Sequence, residues 1–420
     1  MTMDTTGADG SKAAAAGAAT GGAAAAVAGA GAPATAAVPV KLLDVAVGVV
    51  IRPDGSLLLG QRPDGKPYAG WWELPGGKLE PGETVLAALA RELKEEGDIE
   101  VTASTPWVTH IHAYSHATVR LFFCRVTAWT GEPRGLESQA LQWVGSRLAT
   151  EDEIAAARVA LSDRLAALEA RKAAGETPGE LDVAQARAQA PEDALGLALT
   201  PSVGPLLPAA LPPLRWLQVP TRYAITQIGG PAGLPAYLER LDAALASGLK
   251  LVQLREPAWP DGADADSLFD AMQQILARTR FAGARLLVNS VHPEAWWSIS
   301  DGVHFRATDA AQVLQAANVA KIGDSGNGDT APTALPAGKW RAVSAHDAGD
   351  LACARALDAE FAVLGPVLDT ASHPGAQTLG WKGFATLVQA AGLPVFALGG
   401  QSDATEQMAR EHGAHGIAGI

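Results

Sequence analysis

Residues 76–99 read G-G-K-L-E-P-G-E-T-V-L-A-A-L-A-R-E-L-K-E-E-G-D-I, a glycine turn ahead of a segment that carries Arg91, Glu92, Glu95 and Glu96. On a helix, Glu92, Glu95 and Glu96 stand at i, i+3 and i+4 and share one face. Leu86, Leu89, Ala90 and Leu93 take a different face, which gives the segment a core side and an acidic side. Three carboxylates this close repel one another unless a cation neutralises them. Oxygen-only ligation selects hard ions such as Mg²⁺ or Mn²⁺. The pattern predicts a metal site for phosphate chemistry rather than a merely solvated acidic face.

The run resembles the box of the Nudix hydrolases: G, five residues, E, seven residues, R-E-aliphatic-x-E-E-x-G-aliphatic. Gly77, Glu83, Arg91, Glu92, Leu93, Glu95, Glu96 and Ile99 meet it. One position departs: Asp98 stands where the family has its second glycine, and Gly97 is expected to supply the left-handed turn instead. Arg62 before the box, and Gly131-Glu132-Pro133 with Glu137 after it, resemble the MutT-type nucleoside triphosphate diphosphatases, which remove oxidised guanine nucleotides. The resemblance implies Gly76, Glu95, Glu96 and Glu137 as metal ligands and Glu92 as ligand or general base. It implies Arg91 as the group that orients a glutamate, and Arg62 and Lys78 as substrate contacts. For Glu137 alone an exposed loop carboxylate is an equal reading. In that subfamily a late P-P-A-N segment offers an amide to the oxidised base; here Leu207-Pro208-Ala209-Ala210 puts Ala210 at that place. A methyl cannot make the pairing, so the 8-oxoguanine assignment is weaker than the diphosphatase assignment.

The elements that must position this box are legible around it. Asp44 to Ile51 is nearly continuous apolar sequence, and Pro53-Asp54-Gly55-Ser56 is a turn before Leu57-Leu58-Leu59, which together read as a hairpin. Thr118 to Val126 alternates as a further strand. This order fits the α/β/α sandwich of the family. At 420 residues the chain is too long for that fold alone, and 48% hydrophobic residues support two cores. Residues 1–40 are almost all Ala, Gly, Thr and Ser and read as a disordered tail rather than a secretory signal. Glu151 to Ala174 is a helical Ala/Arg/Glu/Leu stretch, and residues 175–203 read as a polar linker. Residues 150–203 are thus an expected insertion within a first domain of residues 41–219.

A net charge of −13 without a Lys/Arg cluster argues against duplex nucleic acid as a partner. No stretch has about 18 continuous apolar residues, so no membrane span is expected. Cys124 and Cys353 are the only cysteines and imply no disulfide framework, which fits a reducing cytoplasm.

The second half, residues 220–420, has eight short apolar runs separated by helix-like segments: Tyr223–Thr226, Leu251–Arg255, Arg285–Asn289, Gly302–Phe305, Arg341–Ala345, Phe361–Gly365, Pro394–Gly400 and Gly416–Ile420. That rhythm predicts a TIM-type (β/α)₈ barrel, whose chemistry sits at the C-terminal strand ends. Polar residues stand there: Gln253, Arg255, Asn289, His304, Ser344, His346, Thr370, Ser372 and His373. In order, Y-A-I-T, V-Q-L-R-E, L-L-V-N, G-V-H, V-S-A-H, G-P-V, A-L-G-G and G-I-A resemble thiamine phosphate synthase and the TenI-type thiazole tautomerase. Against the synthase pattern, Pro257 and His373 replace two lysines and Ser290 replaces a metal-binding aspartate; Asp309 keeps the other. The resemblance implies a thiazole- or thiamine-like ligand near Arg255, Asn289, Ser344, His346, Thr370, Gly399 and Gly400, with His346 at the place of the tautomerase's catalytic histidine.

The leading expectation is a Mg²⁺-dependent Nudix diphosphatase acting on nucleoside triphosphates, carrying a barrel degenerate as a synthase. The alternatives are a thiamine-related enzyme and a non-catalytic sensor of nucleotides or thiamine precursors. A fragment of residues 41–219 is expected to keep diphosphatase activity.

Overall fold

The computed structural model describes residues 42–114, 117–176, 197–323, 338–370, 375 and 377–419. The expected tail, most of the linker, Ser372 and His373 lie outside the described residues.

The first part is built on two four-stranded sheets. The strands are β1 (Leu42–Val50), β2 (Leu57–Gln61), β3 (Trp72–Glu73), β4 (Gly76–Lys78), β5 (Glu100–Ala113), β6 (Thr118–Thr130), β7 (Leu141–Leu148) and β8 (Leu197–Thr200). One sheet has the order β4-β1-β6-β5 and the other β3-β2-β7-β8. β1 is parallel to β6 and antiparallel to β4, so both of its edges are taken. Its near-continuous apolar run follows from burial on both faces. Val47 and Val49 pack with Leu57, Leu59 and Phe123 between the sheets, while Ala46 and Val50 pack with Leu89 and Leu93 of α1 (Val85–Gly97).

Two sequence expectations are corrected here. β1 and β2 do not form a hairpin: beyond a single Ile51–Leu57 bridge they belong to different sheets, because β2 pairs with β7 instead. Residues 197–200, read as the end of a linker, form a core strand paired with β7, with Leu197, Ala198 and Leu199 buried. A four-residue strand is too short to show an alternation that separates it from flanking polar sequence. The helix α2 (Glu151–Ala173) is fixed at its start by a capping box between Thr150 and Glu153.

The second part is a closed barrel of eight parallel strands: β9 (Arg222–Ile225), β10 (Leu251–Leu254), β11 (Arg285–Asn289), β12 (Gly302–Phe305), β13 (Trp340–Ala345), β14 (Phe361–Leu364), β15 (Val395–Leu398) and β16 (Gly416–Gly419). Alternation along the strands sorts their side chains. Leu251, Leu287, Ala342, Phe361 and Phe396 fill the interior, and Val252, Leu286, Val303 and Val343 face the outer helices. Two residues further along, the same inward register brings Gln253, Asn289 and Ser344 into the layer above. Among the described residues no helix is long and apolar enough to cross a membrane.

Candidate active site

The acidic helix is aimed by its two ends. Thr84 caps the N-terminus, its hydroxyl accepting from the Ala87 N–H at 3.3 Å. At the other end Asp98, not Gly97, adopts the left-handed conformation, with φ 55°. Gly97 remains the last helical residue. An aspartate tolerates this conformation better than most residues, and here Arg134 Nε donates to its carboxylate at 2.7 Å.

The glycine pair preceding the helix is a steric requirement. A Cβ on Gly76 would lie 2.1 Å from the Ala46 carbonyl oxygen, and one on Gly77 would lie 2.1 Å from the Glu92 carboxyl carbon. Bare backbone is what lets β4 pair with β1 while the Glu92 carboxylate rests against it.

Arg91 ties the box together. Its Nε and Nη2 donate to the two oxygens of Glu83 at 3.0 and 2.9 Å, Nη1 donates to Glu92 at 2.9 Å and Glu95 at 3.2 Å, and Nη2 also reaches the Lys78 carbonyl. These bonds favour the charged forms: Arg91 titrates above its ordinary range and Glu83 below its own. Glu95 is 61% exposed. Neither it nor Arg91 reaches the cavity wall.

That cavity, about 650 Å³, is walled by Arg62, Lys66, Gly76, Lys78, Glu92, Glu96 and Glu137 at one end. Burial, then repulsion from Glu137, Glu92 and Glu73, raises the Glu96 carboxyl to about 7. Lys66, which the sequence reading missed, donates to Glu137 at 2.8 Å and lies 4.0 Å from Glu96. Among the described residues no three carboxylate, imidazole or thiol groups converge as a closed metal site. The donors nevertheless fit a hard cation: they are all oxygens, and burial first, then repulsion among the carboxylates, opposes the charged form of Glu96, which a bound cation would relieve.

The other end of the cavity is apolar and aromatic. Tyr68, Tyr114, Leu207, Ala209 and Ala210 line it, and Tyr68 meets Trp71 edge-on at 5.1 Å and Tyr114 at 5.6 Å. Between the two ends sits Glu73, whose carboxyl is raised by burial although Arg62 Nη1 donates to it at 2.6 Å. Glu73, Tyr68 and Tyr114 escaped sequence reading because no spacing marks them; a loop and an edge strand bring them in.

In the barrel the inward polar layer is internally satisfied. Asn289 Nδ2 donates to Gln253 Oε1 at 2.9 Å, Gln253 Nε2 donates to the Tyr223 hydroxyl at 3.1 Å, and His304 meets Tyr223 through Nδ1 and Ser344 through Nε2. Burial lowers His304 to about 3, so it is neutral. Asp309 accepts two hydrogen bonds from Arg306, at 2.6 and 3.0 Å, and one from Ser290. His346 Nδ1 bonds the Gly365 carbonyl at 2.8 Å, and Arg255 is exposed at the end of β10. Gly399 and Gly400 hold positive φ against Pro366 and Leu368, where a Cβ would come within 3 Å. Thr370 follows Asp369, whose carbonyl oxygen would lie 2.7 Å from a Cβ on Gly400.

An acidic helix packed beside a Gly-Gly strand of a mixed sheet, facing a cavity with an anionic and an aromatic end, defines a phosphoanhydride hydrolase of the Nudix type; beside it stands a parallel eight-stranded barrel. Residues 42–167 match the model of the NUDIX domain, and residues 223–420 match that of thiamine monophosphate synthase. The chain is 36% identical over 135 residues to the CTP pyrophosphohydrolase of Escherichia coli (strain K12), covering 32% of this chain and 99% of that protein. It is 34% identical over 125 residues to the 8-oxo-dGTP diphosphatase of Haemophilus influenzae, covering 30% of this chain and 92% of that protein. Its barrel is 32% identical over 188 residues to a putative thiamine-phosphate synthase of Geobacter sulfurreducens, covering 44% of this chain and 79% of that protein. The chain belongs to the Nudix hydrolase family through its first part and to the thiamine monophosphate synthase family through its second, and it is a hydrolase of pyrophosphate bonds.

Proposed function

We propose that the first domain, residues 41–219, is a Mg²⁺-dependent pyrophosphohydrolase of nucleoside triphosphates that releases a nucleoside monophosphate and pyrophosphate. Its substrates include oxidised purine nucleotides such as 8-oxo-dGTP, so its role is to cleanse the nucleotide pool. The observation that carries this reading is a single cavity that gathers Glu92, Glu96 and Glu137 at one end, where burial and then the neighbouring carboxylates raise Glu96, and is aromatic at the other. Carboxylates starved of positive charge suit a metal-bound polyphosphate, and flat apolar walls suit a base.

Glu92, Glu96, Glu137 and the Gly76 carbonyl on the cavity wall, joined by Glu95 once it turns from Arg91, would hold Mg²⁺, or Mn²⁺, which when bound screens the phosphates and stabilises charge on their oxygens. Glu92, oriented by Arg91, accepts the proton of the attacking water. Lys78 contacts phosphate, and Lys66 swings from Glu137 to the incoming anion. Tyr68 and Tyr114 stack or edge the base, Ala210 closes its pocket, and Glu73 beside Arg62 offers the polar contact to the base that Ala210 cannot.

For the barrel, residues 220–420, a second reading is favoured by one observation: Arg306 and Ser290 occupy the oxygens of Asp309. With that carboxylate taken and Gln253, Asn289 and His304 bonded to one another, Arg255 and the Nε2 of His346 are left to meet a ligand. That pair suits an anionic thiazole- or thiamine-like molecule and a proton transfer rather than pyrophosphate displacement.

A screen of the full chain that reads released pyrophosphate, converted to phosphate by added pyrophosphatase, tests the first reading, with 8-oxo-dGTP, dGTP, CTP and thiamine diphosphate as substrates, with and without Mg²⁺; calorimetric titration with a thiazole phosphate, weakened by Arg255→Ala, tests the second. The expected result is Mg²⁺-dependent release from nucleoside triphosphates. Release from thiamine diphosphate alone would overturn the assignment.

A further inference from the structure

Each kind of relative is matched over most of its own length by one half of this chain alone. Here, however, each half buries a polar group whose partners lie in the other. Arg125 on β6 is 5% exposed. Its Nη1 donates to the His415 carbonyl at 3.0 Å, its Nη2 reaches His415 Nδ1 at 2.9 Å, and its guanidinium lies 4.5 Å above the Trp107 ring. Among the described residues these are all the hydrogen bonds its side chain makes. His415 is 1% exposed. Its Nε2 meets the Val219 carbonyl at 2.8 Å, and because a carbonyl only accepts, Nε2 carries the proton. Nδ1 is therefore the acceptor for both Arg125 and the Trp107 indole N–H at 3.1 Å. A neutral imidazole is thus satisfied at both nitrogens, and burial first, then Arg125 and Arg410, opposes its protonation.

A second contact repeats the pattern. Arg215 donates at 2.7 Å to Glu360, which is 8% exposed and accepts the Arg341 N–H at its other oxygen. Apolar packing joins these points: Trp107 meets Trp216 edge-on at 6.0 Å, Trp216 meets Phe123 of the cavity wall at 6.1 Å, and His415 lies 5.2 Å from Phe396 of the barrel interior. His415 precedes β16 and Glu360 precedes β14, so both stand at the N-terminal ends of barrel strands. That is the face opposite the one where barrels of this type do chemistry.

We infer that the N-terminal face of the barrel is a docking surface for the β5–β6 face of the hydrolase half, and that the two halves are one folding unit rather than two modules on a linker. A separated hydrolase half would keep its cavity residues yet expose Trp107 and Trp216 and strip Arg125 of both hydrogen bonds to His415. On this inference the separated half is expected to lose activity, because the apolar burial of Trp107 and Trp216 that supports β5 and β6 is lost with the barrel.

The test uses the full chain in scanning calorimetry and in hydrogen exchange under rising denaturant, following amides of β1 and of β11. The parent is expected to unfold in one transition, with the slowest amides of both strands opening together. Arg125→Met should lower the melting temperature and separate the two strands' protection by at least ten-fold. Trp107→Phe, which removes one N–H and keeps an aromatic ring, gives the same separation in smaller measure and serves if Arg125→Met does not fold. Two resolved transitions in the parent, or an unchanged single transition in a folded Arg125→Met together with Trp107→Phe, would overturn the inference.

Discussion

Replacing Glu96 by glutamine should stabilise the metal-free protein while abolishing its activity. The Glu96 carboxyl is raised from 4.5 to about 7, first by burial and then by Glu137, Glu92 and Glu73. A carboxyl raised on folding lends stability that is fully present below pH 4.5 and is lost as pH rises through about 7. At about 1.4 kcal/mol per pH unit the rise corresponds to roughly 3 kcal/mol. The side chain is 28% exposed, so solvent screening reduces the figure to about 1–2 kcal/mol. Glutamine keeps the shape and never ionises, and Lys66 retains Glu137 at 2.8 Å, so no cation is orphaned. Urea unfolding of parent and Glu96→Gln in EDTA at pH 5 and pH 8 reads the difference. The variant is expected to be more stable by about 1–2 kcal/mol at pH 8, with the gap narrowing toward pH 4.5. With saturating Mg²⁺ its nucleotide turnover should fall by orders of magnitude. A variant equal to or less stable than the parent at pH 8 would refute the crowding of charge at this site.

Other outcomes follow from single contacts. Arg91→Lys cannot reproduce the fork that holds Glu83, Glu92 and Glu95 together, so steady-state assays should show kcat reduced roughly ten-fold or more with the circular dichroism spectrum unchanged. Ala210→Asn places an amide on the cavity wall, and competition kinetics should show 8-oxo-dGTP gaining on dGTP; an unchanged ratio would put base recognition elsewhere. His304 is neutral in the folded barrel down to about pH 3 but protonates near 6.5 when unfolded, so its contribution is present above pH 6.5 and drains away as pH falls toward 3. Urea titrations between pH 6.5 and 4.5 should therefore find the parent losing stability up to about 1.4 kcal/mol per pH unit more steeply than His304→Gln.

The hydrolase box was legible because its chemistry is local. Glu92, Glu95 and Glu96 share a helix, and the helix repeat alone fixes their common face. The same locality explains a misreading: whether Gly97 or Asp98 turns the chain depends on Arg134, a residue 36 positions away that bonds Asp98. Lys66, Glu73 and Tyr114 reach the cavity from a loop, an edge strand and the end of β5, and no periodicity connects them. The β1–β2 hairpin failed for a similar reason. An apolar run followed by a turn specifies a reversal of direction, but which strand takes the free edge is decided by β7, some 80 residues later.

The barrel shows the other limit of reading strand ends. Its eight strands fall where the apolar runs predict them because period and turn signals suffice to place a parallel strand. The positions of Gln253, Asn289, His304 and Ser344 at the inner layer follow from the same alternation. What the alternation cannot give is how much hydrogen-bonding capacity each residue has left. Asp309 reads as a retained metal ligand until Arg306, three residues earlier on the same turn, is seen to hold both of its oxygens. A cation seeking that carboxylate must first displace a guanidinium that makes two bonds to it, and Ser290 offers a hydroxyl that donates to Asp309 where a second carboxylate would have repelled it. The substitution at Ser290 and the ion pair at Asp309 are thus two halves of one change, which turns a pair of anionic ligands into a closed, neutral cluster.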